Sequence, residues 1–442
     1  MAYAGSAVGQ VMTCDIYEMT TRQVTNQDLR RQFTPEEKEN LEMIRDHIQA
    51  ASLRQEQPSP KDDALSLDQY VCDLGAGAKT RQMVNLWARV MHGLESTQES
   101  AAWFIDYCRR NRGLLAIRAD DHTGGNHMRL TTGMSHSTHN SAWLPHSLWP
   151  LLFFGVCPLP PSPPASPSMI RFFVGVQWLT IGISTETGAQ QIPNGLADLL
   201  GRDKIHLSSP VMSITDHSSY VTVTTANNKT LQARKCIVSI PSTMYHELGV
   251  SPPLPDDVQE VTSSARLGHY NKAIVCYAKP WWRDLGYNGF VMSYRGPVIV
   301  GRDTSVDEKQ FFALTCFVNG DEGIKWSRLD KEGRRAAVIR HLAELYGAQA
   351  DSHDVHHPIE FLDQIWMHEP YSQGALAPVT ALGHYTRFSS VYGQPVGNLH
   401  FVGTEYSPEW KGYMEGALCS GEKGADQVRE TLAMEDAQRK RD

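Results

Sequence analysis

The sequence lacks paired cysteine motifs, apolar runs long enough to cross a membrane, and basic blocks typical of nucleic-acid-binding proteins. Its eight cysteines include no C-x-x-C pair, and several lie in apolar, strand-like runs, as reduced core thiols do. The most apolar run, residues 148–156, is too short to cross a bilayer. No block of Lys and Arg is interleaved with aromatic residues, and the net charge is -8. This charge argues against a nucleic-acid partner.

Targeting and metal-binding signals are also missing. The chain opens with no signal peptide and ends, at residues 435–442, in polar residues with no apolar anchor and no S-K-L type ending. We therefore expect an intracellular, cytoplasmic protein without a membrane partner, and a peroxisomal location stays an open alternative. The Asp and His residues of 351–357 are irregularly spaced and have no second ligand set, so we predict no metal site.

The most informative segment is residues 399–425, which combine a strand, a turn and a helix. Its apolar run ends at Gly403, and a helical pattern starts near Gly412 and runs to about Leu432. Such a junction presents backbone N–H groups and the positive end of a helix dipole, which suit phosphate or an electron-rich ring. Trp410 and Tyr413 add flat aromatic surface. An ordinary strand-to-helix turn with core aromatics is the alternative.

This segment resembles the C-terminal flavin-binding block of the flavin monoamine oxidases, above all the fungal members. The shared pattern is a strand, G-T-E, a loop with Trp, and then G-Y-M-E-G-A, and further matches lie at 237–255, 279–290 and 365–375. The resemblance covers most of 60–133 and 189–432. It implies an FAD-dependent oxidoreductase that converts an amine, O2 and water into an aldehyde, ammonia and hydrogen peroxide.

The resemblance also implies the fold and its division into domains. The fold is α/β, of the FAD/NAD(P)-binding flavoprotein type, with an α+β substrate domain. Helical spacing at 66–112 fits that fold. The alternation at 204–240 predicts a three-stranded meander that enters a parallel core strand, with a buried run at 236–240. The predicted parts are as follows: substrate domain 1–200 and 262–368, FAD-binding domain 201–261 and 369–432, and a solvated tail 433–442.

Residues 134–188 interrupt the substrate domain. Seven prolines occur between Pro145 and Pro164, and the segment shows no sustained helical or strand period. A long surface insertion is one interpretation, although structureless loops of this length are uncommon in compact domains. Our hypothesis is a retained intron, because the flanking residues join smoothly without the segment and because Gly133–Ser135 and Thr187–Gly188 can be encoded with splice signals.

Flavoproteins of this class seat the ADP half of FAD on an N-terminal βαβ unit with a G-x-G-x-x-G turn. The nearest glycine-bearing string, residues 4–9, has neither that spacing nor a preceding buried strand. We therefore expect the chain to lack this unit. By itself, the chain should be poorly soluble, colourless and inactive. A non-catalytic remnant is the alternative from another functional class.

The resemblance assigns roles to individual residues. Lys272 would hydrogen-bond a water beside flavin N5, although a lysine whose ammonium reaches solvent from a strand end is the ordinary interpretation. Tyr413 would form one wall of an aromatic cage around the substrate amine, and Trp366 and Trp410 would lie near the flavin; core packing is the alternative for each. The predicted cofactor contacts are Val211, Gly403, Thr404, Glu405, Trp410, Tyr413 and Met414.

One departure from the family concerns the flavin linkage. The mitochondrial enzymes have a flavin-bound cysteine followed by a cage tyrosine, and Ala375 and Leu376 stand at those positions here. We therefore expect noncovalent FAD and a cage that is half-built or completed by another residue. A polyamine oxidase is the runner-up, but Glu369 is the one carboxylate near 365–376. The identity of the amine and the oligomeric state stay open.

Overall fold

The computed structural model of the chain describes residues 11–12, 33–54, 56–118, 190–347 and 354–441. The helices, numbered in chain order, are α1 (Pro35–Leu53), α2 (Pro60–Asp63), α3 (Leu67–Asp73), α4 (Ala78–His92), α5 (Ala101–Arg110), α6 (Leu114–Arg118), α7 (Gln191–Leu200), α8 (Asp256–Ser264), α9 (Trp281–Asp284), α10 (Gly320–Ser327), α11 (Lys331–Tyr346), α12 (His384–Arg387) and α13 (Met414–Arg439). The predicted insertion at 134–188 lies outside the described residues.

The strands are β1 (Val11–Met12), β2 (Val211–Asp216), β3 (Val221–Thr225), β4 (Thr230–Ala233), β5 (Cys236–Val238), β6 (Gly249–Ser251), β7 (Arg266–Gly268), β8 (Tyr270–Tyr277), β9 (Val291–Met292), β10 (Val300–Asp303), β11 (Phe312–Asn319), β12 (Glu360–Ile365), β13 (Ala375–Val379) and β14 (Leu399–Phe401). Six of them form one sheet in the order β1-β9-β10-β11-β8-β12. Every neighbouring pair in that sheet is antiparallel except β1 with β9.

Strand β8 is flanked by β11 and β12, and its side chains alternate between two different environments. Ala273 and Val275 point into a buried cluster rich in tryptophan from α9 and α10. Lys272 and Ile274 lie on the opposite face, which is only partly buried. The strand period of two predicts this division, because successive side chains of a strand point to opposite faces of the sheet. The sheet therefore presents a half-open face with a lysine near its middle.

The helices α1 to α6 pack around an aromatic and aliphatic core. Helix α1 begins with a capping box, in which the Thr34 hydroxyl accepts from the Glu37 N–H and the Glu37 carboxylate accepts from the Thr34 N–H. Helices α3, α4 and α5 confirm the helical spacing predicted over 66–112. Their buried core side chains include Ile44, Ile48, Leu67, Val71, Trp87, Trp103 and Phe104.

Two smaller sheets contain the strands β2 to β6 and β14. Strands β2, β3 and β4 form an antiparallel meander, β6 adds to β2, and β5 pairs in parallel with β14. This confirms the predicted meander followed by a parallel strand. The prediction of a buried run at 236–240 is wrong at Ile237, which is 44% exposed. Within the described residues β14 is the one strand that pairs with β5, so the other edge of β5 has no partner strand there.

The C-terminal helix is longer than the sequence predicted. Helix α13 continues to Arg439, through residues that we had assigned to a solvated tail. Near its end, Glu435 forms ion pairs with Arg234 and Lys235, which follow β4. These contacts explain why the helix does not stop near Leu432. They also fix the helix against the meander.

Residues 190–207 belong to a second compact unit of the chain. Their helix α7 is followed by a 3₁₀ turn at Arg202–Lys204, and its Leu196, Leu199 and Leu200 side chains are exposed. The domain boundaries that the resemblance implies stay predictions.

Across the described ranges, no helix is both long and apolar enough to cross a membrane. The same residues contain no group of three or more His, Cys, Asp or Glu side chains that could hold a metal ion. Part of the rejected metal segment, residues 351–353, lies outside the described ranges. The cysteines that are described are free thiols: Cys72, Cys108, Cys236, Cys276, Cys316 and Cys419.

Gly268 marks a close approach between β7 and the end of α4. A Cβ atom at Gly268 would lie 1.7 Å from the His92 carbonyl oxygen. We expect Gly268→Ala to lower the free energy of unfolding by about 1–3 kcal/mol or more, because the backbone must shift to relieve the overlap. Chemical denaturation measures this change. Gly421→Ala, on α13 with nothing within 4 Å of its Cβ, is the control and should be neutral or stabilising; equal destabilisation by both would contradict the packing argument.

Candidate functional site

The candidate site is built around the turn that joins β14 to α13. The chain passes through Gly403, a 3₁₀ turn at Thr404–Tyr406 and a loop, and α13 begins after Tyr413. Tyr413 is the N-cap residue, and its side chain makes no capping hydrogen bond. The first N–H groups of α13 are therefore free of a side-chain cap at the positive end of the helix dipole. Met414 is 48% exposed at this end.

Thr404 holds the turn together. Its hydroxyl accepts a hydrogen bond from the Gly412 N–H at 2.7 Å and donates one to the Tyr413 carbonyl at 2.9 Å. Trp410 and Gly412 have positive φ angles of 53° and 86°, so the loop reverses direction sharply between them. Thr404 thus contacts protein backbone and fixes the geometry of the turn. Its predicted contact with a cofactor stays a prediction.

Glu405 connects the turn to the segment that follows β5. The residue is buried, and its carboxylate accepts a hydrogen bond from the Ser242 N–H at 3.0 Å. Burial raises the pKa of Glu405, and the hydrogen bonds from the backbone oppose that shift. The ends of the parallel strands β14 and β5 are therefore tied together by a buried carboxyl group. Its predicted role at the flavin phosphates and ribityl chain also stays a prediction.

Three tyrosines lie close together beside the turn. Tyr107, Tyr413 and Tyr270 interact electrostatically with one another. Tyr270 donates its hydroxyl to the Val90 carbonyl at 3.0 Å. Burial raises the pKa of all three, to about 12 for Tyr270, so they are neutral phenols at physiological pH. The sequence analysis missed Tyr107, because a tyrosine four residues after Trp103 on α5 has the spacing of ordinary helix packing.

Lys272 lies between two neighbouring strands rather than at a strand end. It pairs with Phe317 of β11 and Gln364 of β12, and its Nζ atom is 5.4 Å from the Phe317 ring centroid. Burial lowers the pKa of Lys272. Within the described residues it forms no ion pair with a carboxylate. The strand-end interpretation is therefore wrong: the ammonium sits on the half-open face, flanked by an aromatic ring and an amide.

Other predicted residues lie on neighbouring elements and remain partly exposed. Trp366 starts a 3₁₀ turn directly after β12, and Leu376 lies on β13 and is 47% exposed. Ala375 pairs with Gly268, two residues before Tyr270, and the Ala375–Leu376 peptide bond is cis. Val211 is exposed at the start of β2. The structure thus groups Gly403, Thr404, Trp410, Tyr413 and Met414 in one turn, and it shows no contact between Val211 and that group.

We expect the Thr404 hydroxyl to be needed for the turn. Thr404→Val keeps the side-chain volume but leaves the Gly412 N–H and the Tyr413 carbonyl without this partner, which typically costs about 1–3 kcal/mol. Chemical denaturation should show that loss. Thr404→Ser keeps the hydroxyl and is the matched control. If the valine and serine variants were equally stable, the two hydrogen bonds would not determine the turn.

The chain is similar to several known proteins. The family model for flavin-containing amine oxidoreductases matches residues 41–429. A Dictyostelium discoideum protein described as "Probable flavin-containing monoamine oxidase A" is 32% identical over 245 residues, which are 55% of this chain and 53% of that protein. Bovine (Bos taurus) flavin-containing amine oxidase B is 31% identical over 243 residues, which are 54% of this chain and 46% of that protein. The chain thus spans about half the length of these curated relatives.

Solved structures share the fold. A cyclohexylamine oxidase from Brevibacterium oxydans superimposes with a TM-score of 0.71 at 19% identity, over 96% of this chain and 82% of that one. A putrescine oxidase double mutant superimposes with a TM-score of 0.70 at 18% identity, over 90% of this chain and 76% of that one. These matches confirm the predicted flavoprotein fold class.

Proposed function

The chain belongs to the family of flavin-containing amine oxidoreductases, and on that premise we propose that it oxidises amines with FAD as its cofactor. The proposed reaction removes two electrons and two protons from a C–N unit and transfers them to O2, which becomes hydrogen peroxide. Water then converts the resulting imine into an aldehyde and ammonia. The main support for the proposal is the start of α13 next to Tyr413, which has no side-chain cap. The chain also has a half-buried lysine, Lys272, on β8.

The residues of the turn fit the ring system of a flavin. A flavin ring offers carbonyl oxygens that accept hydrogen bonds and a flat surface that packs on aromatic side chains. The first turn of α13 supplies N–H donors without a side-chain cap, and Trp410 and Tyr413 supply aromatic surface. When bound, FAD would supply the electron acceptor for the amine and the electron donor for O2. Gly403, Thr404, Glu405 and Met414 would frame that end of the cofactor, with Val211 toward its nucleotide end.

Lys272 is proposed to hold a water molecule beside the ring. Burial lowers the pKa of its ammonium, and no carboxylate among the described residues pairs with it. A lysine of this kind is free to donate to a water molecule and can titrate closer to neutral pH than a surface lysine. Trp366, directly after the neighbouring strand β12, would cover the same region. The lysine would thereby influence the step in which O2 accepts electrons.

Tyr413 is proposed to orient the substrate amine. The amine must be uncharged to react, so its lone pair needs a flat, weakly polar wall rather than a carboxylate. Tyr413 packs against the buried cluster that contains Tyr107. Leu376 would stand at the opposite wall as an apolar contact. This arrangement favours a monoamine over a polyamine, because Glu369 is the one carboxylate at 365–376 and a polyamine would need an acidic cluster for its second ammonium group.

The cofactor is proposed to be noncovalent, because Ala375 has no thiol to form the bond to the flavin ring. Six described cysteines are free thiols, which supports a reducing compartment such as the cytoplasm.

We predict that FAD binds reversibly when residues 134–188 are removed and an N-terminal βαβ unit with a G-x-G-x-x-G turn is fused to the chain. Flavin fluorescence should change when this fusion protein is added at excess FAD, and acid precipitation should then return all of the flavin to the supernatant. Flavin in the washed acid pellet would contradict the noncovalent assignment. FAD without protein is the control for the optical change.

We predict that Lys272→Met slows reoxidation of the flavin by O2 while reduction by amine persists, because the lysine positions water and does not accept the hydride. Stopped-flow absorbance with the same FAD-loaded fusion protein separates the two half-reactions. The removal of one general acid or water-positioning group typically costs about 10²–10⁴-fold. Lys279→Met, at an exposed lysine after β8, is the matched control, and unchanged reoxidation in Lys272→Met would leave Lys272 a packing residue.

A further inference from the structure

The loop before α13 is tethered to the C-terminal end of α5. The Trp410 N–H donates to the Arg110 carbonyl at 3.0 Å, and the Arg110 guanidinium donates to the Ser407 carbonyl at 2.9 Å. Asn111, which follows α5, donates its side-chain amide to the Lys411 carbonyl at 3.0 Å. The backbone of 407–411 therefore depends on helix α5. The side chain of Lys411 lies at the centre of this contact.

Lys411 is buried beneath the turn that carries Tyr413. The side chain is 1% exposed, and its Nζ atom lies 4.5 Å from the Trp103 ring centroid and 4.6 Å from the Tyr385 ring centroid. The nearest carboxylate oxygen with which it pairs in the described part of the chain is Asp106 Oδ2, at 3.9 Å. This distance is beyond hydrogen-bond range. The ammonium has aromatic faces on two sides, and its paired carboxylate lies beyond hydrogen-bond range.

The Asp106 carboxylate is shared with other donors. Arg110 Nε donates to Oδ2 at 2.5 Å, and Arg109 and the Tyr385 hydroxyl also donate to this carboxylate. Burial alone would raise the pKa of Asp106, but the charges of Lys411 and Arg110 outweigh burial and lower it to about 2. The carboxylate is thus ionised and engaged by the two arginines, so it compensates the charge of Lys411 only in part.

The charged and titratable groups that face Lys411 come from three elements. They are Asp106, Arg109 and Arg110 of α5, Tyr385 of α12, and Glu405 of the 3₁₀ turn. Two of them are cations that oppose a further positive charge. A buried ammonium with few hydrogen bonds is costly, since it gives up strong hydration. Burial accordingly lowers the pKa of Lys411 from its ordinary value of 10.5 to about 7, against the opposing effect of Asp106.

We propose that Lys411 is a positioning residue whose uptake of a proton is coupled to opening of the 410–413 turn, so that Tyr413 and the first turn of α13 are held most firmly when Lys411 is uncharged. The consequence for amine oxidation rests on the proposed function, because it requires Tyr413 to contact the substrate. The coupling itself rests on the contacts around Lys411.

The direction of the pH effect follows from proton linkage. When the turn opens, Lys411 reaches water and regains its ordinary affinity for a proton. Between about pH 7 and about pH 10.5 the open form therefore binds a proton that the closed form does not. The closed turn becomes more stable as pH rises through this interval. Below about pH 7 both forms are protonated, and the closing equilibrium no longer depends on the charge of Lys411.

Hydrogen exchange of the backbone amides in residues 407–413 measures the closing equilibrium of the turn, when closing is fast relative to exchange. The full chain is compared from about pH 6 to about pH 9, with exchange rates corrected for their intrinsic pH dependence. Above pH 7 we expect the protection of these amides to rise by up to about tenfold per pH unit, since one pH unit of linkage is one decade in the equilibrium. Below pH 7 the protection should be constant.

Three variants isolate the proton on Lys411. Lys411→Met cannot titrate, so the protection of 407–413 should be independent of pH. Lys411→Arg stays charged throughout, so its protection should not rise with pH. At every pH it should equal or fall below the value that the wild type shows below pH 7. Lys423→Met, at an exposed lysine on α13, should behave as the wild type does.

A wild-type protection that stays flat with pH would overturn the proposal, as would the same rise in Lys411→Met. The wild-type series decides the question even if one variant fails to fold. The measurement uses neither flavin nor amine, so its failure would leave the proposed oxidation untouched. Conversely, a chain that failed to oxidise amines could still show the pH-dependent turn.

Discussion

One hydroxyl group holds the start of α13. Thr404 accepts from the Gly412 N–H and donates to the Tyr413 carbonyl, and these two hydrogen bonds determine where the loop ends and the helix begins. Tyr413 can then occupy the N-cap position without capping the helix itself. Without this constraint, the loop could place a polar side chain over the free N–H groups, as most helix starts do. In this structure those groups have no side-chain cap, and Thr404 holds the turn from the side.

Helix α5 and its neighbours support the same turn through buried carboxylates. Asp63 accepts from the Ser100 hydroxyl at 2.6 Å and from the Thr386 N–H at 2.8 Å. Asp106 holds Arg110 and Tyr385, and Arg110 reaches the backbone of Ser407. A helical core distant in sequence thus positions both α12 and the loop before α13. Buried polar networks of this kind are costly when incomplete, and they favour one arrangement of the elements they join.

The sequence predicted the local elements of the site well. The strand at Leu399–Phe401 and the helix that follows were predicted from apolar period and glycine position, with the helix start placed two residues before Met414. The side of β8 on which Lys272 lies was also predicted, since a strand has a period of two. The prediction of a buried β5 is wrong at Ile237 because burial depends on which elements cover a strand. Periodicity does not carry that information.

The supporting contacts could not be predicted in the same way. Arg110 and Ser407 are 297 residues apart, and no local pattern links them. Lys411 resembles an exposed lysine in a polar loop, yet it is buried against Trp103 because the positive φ of Trp410 turns the chain back onto α5. Tyr107 has the spacing of a core residue. Its contact with Tyr413 follows from tertiary packing alone.

Hydrogen peroxide formation from a monoamine tests the central claim most directly. The chain, with residues 134–188 removed and an N-terminal βαβ unit of the family fused to it, is supplied with excess FAD and O2. It should release one peroxide and one aldehyde for each amine consumed, and it should act on a simple monoamine in preference to a diamine. A chain that binds FAD but forms no peroxide from any amine would contradict the account. It would then be a member of the family that retains the flavin turn without the oxidation chemistry.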